Sequence, residues 1–100
     1  MINYVTSLKS FSEILLALGQ RAQALRLSRN WTQQEIADRS GVGVATIHRF
    51  EKSGQVALEN ALRIATVLGV EAGFERLFEA LGQTSESLRK RARKRIRKRS

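Results

Sequence analysis

His48, Arg49 and Lys52 stand within one short stretch of the chain. At about 100° per helical residue they fall in one narrow sector together with Ala45. No acid shares that sector, and Ile47 and Phe50 lie on the opposite side. A guanidinium is a planar fork of donors that suits paired acceptors such as a phosphate or the O6 and N7 edge of guanine, and small apolar groups can meet a thymine methyl. A helix packed through Ile47 and Phe50 that turns Ala45, His48, Arg49 and Lys52 outward therefore suits insertion into a major groove. The same residues would also make an ordinary solvated basic face, and the face alone does not separate the two.

Catalytic chemistry is poorly provided for. One histidine and no cysteine exclude disulfides, thiolate ligands and a histidine-based metal centre. No Ser-His-Asp set, no carboxylate pair in an evident pocket and no phosphate-cradling glycine loop stands out, so neither enzymatic activity nor a metal or cofactor is expected. His48 offers either a neutral groove contact or a pH switch.

The elements that must position this face are helical. Ser10 and Glu13 have capping-box spacing, with Leu8 placed to staple onto Ile14. Phe11, Ile14, Leu15, Leu18, Ala22 and Leu25 then follow one amphipathic stripe that should end near residues 28–30. Gly19 interrupts that pattern and weakens the case for one continuous helix. Thr32 and Glu35 form a second capping box, opening a short helix that turns Ile36, Ala37 and Ser40 inward and stops at Gly41. A third helix is expected over 44–52, ending at Ser53-Gly54. A fourth is expected over 58–68 with Leu58, Ala61, Leu62, Ala65 and Leu68 inward. A fifth is expected over 71–81, with Phe74, Leu77, Phe78 and Leu81 as its stripe and Gly82 as its stop. Trp31 reads as a core or staple residue, with base stacking as its other use. The chain has no proline and no strand-length alternation. The fold class is therefore all-α.

Charge divides the chain in two. Lys and Arg number 18 against nine Asp and Glu, a formal net charge of +9. Arg89, Lys90, Arg91, Arg93, Lys94, Arg95, Arg97, Lys98 and Arg99 carry that whole excess, because the other basic residues are matched by the acids of 1–88. Such a block implies a polyanionic partner, nucleic acid first and an acidic protein surface second. A solubilising extension is the plainer reading. The expected division is a DNA-binding domain over 1–82 and a basic tail over 83–100. The longest apolar run, Ile14 to Leu18, is far short of the ~20 residues that span a bilayer. With no basic n-region before it, that run does not fit a signal peptide either. A cytoplasmic protein without a membrane partner is expected.

The segment from Trp31 to Glu51 carries a specific pattern. Thr32-Gln33 opens the second helix, Ala37 and Gly41 follow, and Ile47 and Glu51 come after the turn. This resembles the Xre family, the phage-repressor and Cro-like helix-turn-helix domains, over roughly residues 14–70. The stretch Ala45-Thr46-Ile47, followed by Phe50-Glu51, is similar to the HipB-type antitoxins of that family. The resemblance implies a five-helix, lambda-repressor-like domain that binds a double-stranded DNA operator. It implies a phosphate contact from Gln33 at a helix N-terminus, with Thr32 beside it. It also implies base reading by Gly43, Val44, Ala45, His48 and Arg49, a phosphate or base contact from Thr46, a backbone contact from Lys52, and a structural role for Glu51. Gly43 and Val44 depart from the commoner pattern, in which polar readers are frequent there. Arg49 is thus left with much of the hydrogen-bonded readout.

Helix-turn-helix readers usually bind as dimers, with half-sites about 34–36 Å apart. Phe74, Leu77, Phe78 and Leu81 suit either a homodimer interface or packing against the first helix. The reading is a transcriptional repressor, most simply the antitoxin of a HipA-like kinase toxin that also represses its own operon. A stand-alone or prophage repressor, a protein-interaction module binding an acidic partner, and a nonspecific RNA binder are the competing readings.

Overall fold

The computed structural model describes residues 10–79 together with 89 and 90. Within residues 10–79 five helices follow in order: α1 Phe11–Ser28, α2 Gln33–Ser40, α3 Val44–Ser53, α4 Leu58–Leu68 and α5 Ala72–Glu75. No strand occurs among the described residues. Both capping boxes form. Ser10 Oγ accepts from the Glu13 amide at 3.2 Å while the Ser10 amide donates to Glu13 at 2.7 Å. At α2, Thr32 Oγ1 accepts from the Glu35 amide at 3.0 Å and the Thr32 amide donates to Glu35 at 2.8 Å. Each reciprocal pair satisfies amides that a helix start leaves without partners.

The core gathers where α2, α3 and α4 meet. Ile36 and Ala37 from α2, Ile47 and Phe50 from α3, and Ile64 and Leu68 from α4 are buried together. Val42, inside the turn between α2 and α3, is buried with them. The turn is fixed around it. Gly41 adopts left-handed angles at φ 75°, and Ser40 Oγ accepts from the Val42 amide at 3.2 Å. Ala22 and Leu25 close the core from α1, and Trp31 and Val56 from the loops.

Four expectations are resolved. First, the expected first helix forms as one element, unbroken at Gly19, from Phe11 to Ser28. Gly19 marks the closest approach of α1 to α3, since a Cβ there would overlap the Phe50 carbonyl and stand 3.2 Å from the Gly54 amide. Gly54, at φ 82°, is pressed in turn against the Leu15 backbone. Second, Leu58 and Leu62 are exposed rather than inward. The buried arc of α4 is centred on Ile64, Ala65 and Leu68, which places Leu58 and Leu62 on its flank. Third, the N-terminal part of the α1 stripe is not covered among the described residues, with Phe11, Ile14 and Leu18 exposed. Fourth, α5 is a single turn rather than a helix over 71–81. The chain leaves helical geometry after it, and Phe78 takes φ 65°. Leu8, Leu81, Gly82 and the tail beyond Lys90 lie outside the described residues.

Candidate nucleic-acid interface

The outward face of α3 is built from behind. Ile47 is 1% exposed and Phe50 7%, so these two side chains pin the helix to the core and fix which side turns away. Ala45, His48, Arg49 and Lys52 are all exposed, as are Gly43 and Val44, while Thr46 is half-buried at the edge. The sector anticipated from spacing is therefore one continuous surface, with three cationic or imidazole groups and no acid. Ser53 closes the helix: its hydroxyl donates to the Arg49 carbonyl at 2.8 Å and accepts from the Gln55 amide at 3.2 Å.

A buried polar network locks α3 to the two helices before it. Arg26 Nε donates to Glu51 Oε2 at 2.7 Å and Arg26 Nη2 to Glu51 Oε1 at 3.0 Å. Arg26 Nη1 donates to the Trp31 carbonyl at 2.7 Å. Gln33 Nε2 donates to the same Glu51 Oε1 at 3.0 Å. The hydrogen bond to Glu51 raises the Arg26 guanidinium above its ordinary range, against the opposing cost of burial. Arg26 and Glu51 are both buried. The structural role expected of Glu51 is met, and Arg26 is the partner that sequence reasoning missed. No motif marks Arg26, because its partner lies two helices further on in the chain.

The network bears on Gln33. Its amide nitrogen is held by Glu51, so the side chain is oriented at the start of α2, with its second amide hydrogen and its carbonyl oxygen not engaged there. Thr32 uses its hydroxyl oxygen to cap α2. Trp31 is half-buried, with the Arg39 guanidinium 4.3 Å and the Arg29 guanidinium 5.8 Å from its ring centre. Arg29 also donates to the Leu68 carbonyl at 2.7 Å, tying this loop to the end of α4. Trp31 thus serves packing, with its ring engaged by arginines.

The residues put forward for a dimer interface divide. Phe74 is half-buried, Leu77 is 49% exposed and Phe78 is 93% exposed. Phe74 and Leu77 border an apolar groove of about 490 Å³ whose floor includes Phe50, Ala65 and Leu68. Phe78 points away from the core. Arg89 and Lys90 are exposed.

Two short helices joined through a left-handed glycine, the second presenting an acid-free basic face, define a helix-turn-helix DNA-binding domain. The helix-turn-helix family model matches residues 23–74, spanning the latter part of α1 through to α5. The chain belongs to the Cro/C1-type helix-turn-helix family and is a DNA-binding transcriptional regulator. No curated protein matches it. Among the described residues, no helix is long and apolar enough to cross a membrane.

Proposed function

We propose that the chain is a sequence-specific repressor that binds a two-fold operator as a homodimer, with α3 in the major groove. The observation behind this reading is the exposed, acid-free face of Ala45, His48, Arg49 and Lys52, backed by the buried Ile47 and Phe50. Arg49 reads a guanine. His48, Ala45, Val44 and Gly43 meet neighbouring base edges, and Thr46 and Lys52 hold the flanking backbone. Gln33 and Thr32 bind a phosphate at the start of α2, where the helix dipole favours an anion. This DNA-reading unit spans 1–82. Residues 83–100 form a separate basic tail, in which Arg89, Lys90, Arg91, Arg93, Lys94, Arg95, Arg97, Lys98 and Arg99 add phosphate contacts.

The dimer forms through Phe78 with Leu77, Phe74 and Leu81. An almost fully exposed phenylalanine, next in the chain to Leu77 on the border of the apolar groove, is costly to leave in water. A narrower role as antitoxin to a HipA-like kinase is supported by the Ala45-Thr46-Ile47 and Phe50-Glu51 resemblance alone. A kinase-like reading frame beside the gene, whose product co-purifies with this chain, tests it.

The main reading is tested by titrating the full chain against the DNA upstream of its own gene and a scrambled duplex of equal length. A repressor prefers the former by about a thousandfold or more. Equal affinity for both would overturn the proposal and favour the interaction-module reading.

A further inference from the structure

The first three helices begin differently. α1 and α2 each open with a hydroxyl cap and a glutamate at the third position, Ser10 with Glu13 and Thr32 with Glu35. α3 opens with Gly43, makes no side-chain cap bond and has no acid in its first turn. Nothing in the fold demands glycine at 43. Its φ is −60°, which any residue adopts, and a Cβ there would meet nothing within 4 Å. A serine or aspartate would fit and would stabilise the helix. The leading end of α3 thus lacks both the anion and the polar cap of α1 and α2; α4 also opens without a side-chain cap, at Ala57, but carries Glu59 in its first turn.

The first side chains at that end are Val44, 41% exposed, and Ala45, also exposed. Neither has a donor or an acceptor. On the major-groove edges of the four base pairs, the one apolar feature is the C5-methyl of thymine. We infer that Val44 and Ala45 read thymine methyls, so that recognition by this chain depends on pyrimidine 5-methyl groups as well as on the hydrogen bonds of Arg49. Ala45 and Arg49 are one turn apart on α3, about 6 Å, which corresponds to about two base steps of 3.4 Å. The half-site therefore carries one or two thymines within a few base steps of the guanine that Arg49 binds. This inference rests on the reading of α3 as the base-reading helix.

The test uses the full chain and a library of random-sequence duplexes. The most enriched duplex is resynthesised with deoxyuridine replacing each thymine in turn, which deletes one methyl and leaves every base-pairing group in place. Affinity should fall about fourfold at one or two thymines, the worth of one buried methyl, and stay level at the others. Val44→Ala should abolish the thymine–uracil difference at one of those positions, and Ala45→Gly at the other, with circular dichroism checking that each variant is folded. Uracil tolerated at every position within experimental error would overturn the inference, as would a methyl dependence that both variants retain. In either case the enriched duplex itself would leave the DNA-reading assignment standing. A library that yields no enriched sequence would overturn that assignment and the inference with it.

Discussion

Arg26 and Glu51, twenty-five residues apart in sequence, meet as a buried two-point ion pair with separations of 2.7 and 3.0 Å. The pair is completed rather than left partial. The remaining Arg26 terminal nitrogen donates to the Trp31 carbonyl, and Gln33 donates to the shared Glu51 oxygen. No buried side-chain polar atom among the described residues lacks a partner. One carboxylate near the end of α3 thereby sets the position of α1, the loop before α2 and the side chain of Gln33. The exposed face of α3 and Gln33, proposed as base-reading and phosphate-binding elements, are held in one frame.

Breaking that frame from one side should be costly. Glu51→Ala leaves a buried guanidinium without its counter-charge, and a loss of about 3–5 kcal/mol is expected. Arg26→Met with Glu51→Leu removes both charges together and should recover much of the loss. Urea unfolding of the single and double variants checks this. A Glu51→Ala loss below about 1 kcal/mol would contradict the network's structural weight.

The crossing of α1 over α3 gives a second stability prediction. Gly19→Ala pushes a methyl into the Phe50 carbonyl, and overpacking of this kind costs about 1–3 kcal/mol. Gly73→Ala, where a Cβ meets nothing within 4 Å, should change stability by about 0.5 kcal/mol or less. Thermal melts of the two variants compare them directly, and equal shifts would remove the close-crossing explanation.

These two sites also mark what the sequence did and did not disclose. The helix starts were legible because capping boxes are local, with Ser10, Glu13, Thr32 and Glu35 each within three residues of its partner. The two faces of α3 were legible because helical spacing alone separates Ile47 and Phe50 from Ala45, His48, Arg49 and Lys52. Arg26 and Gly19 were not legible, since each is explained by its packing against a different helix, and Gly54 was legible as the stop of α3 but not for its contact with the Leu15 backbone. Leu58 and Leu62 were misplaced because α4 carries apolar residues around more than half its circumference, so its pattern does not say which arc is covered. The length of α5 was misjudged for a related reason. The spacing of Phe74, Leu77 and Phe78 is helical, but Phe78 is left in water and the chain turns there instead.

Phe78→Asp tests assembly. With Phe78 93% exposed, the substitution should leave the fold intact and convert a dimer into a monomer by light scattering. A variant that stays dimeric would place the interface elsewhere, and one that unfolds would return Phe78 to the core.

Removing 89–100 tests the tail. All of the net positive charge lies there, so truncation should weaken specific and scrambled duplexes by similar factors. It should also make the slope of log affinity against log salt shallower by several units, at roughly 0.9 for each phosphate that the tail neutralises. An unchanged slope would assign the tail to a protein partner instead.

The division of labour between α2 and α3 is tested most directly by Arg49→Ala and Gln33→Ala titrated against cognate and scrambled duplexes at one fixed salt concentration. Arg49→Ala should cost about 1–3 kcal/mol on the cognate site, little on the scrambled one, and relax discrimination at a single base pair. Gln33→Ala should weaken both duplexes alike. Equal losses on the two duplexes for Arg49→Ala would contradict the assignment of base reading to the outward face of α3.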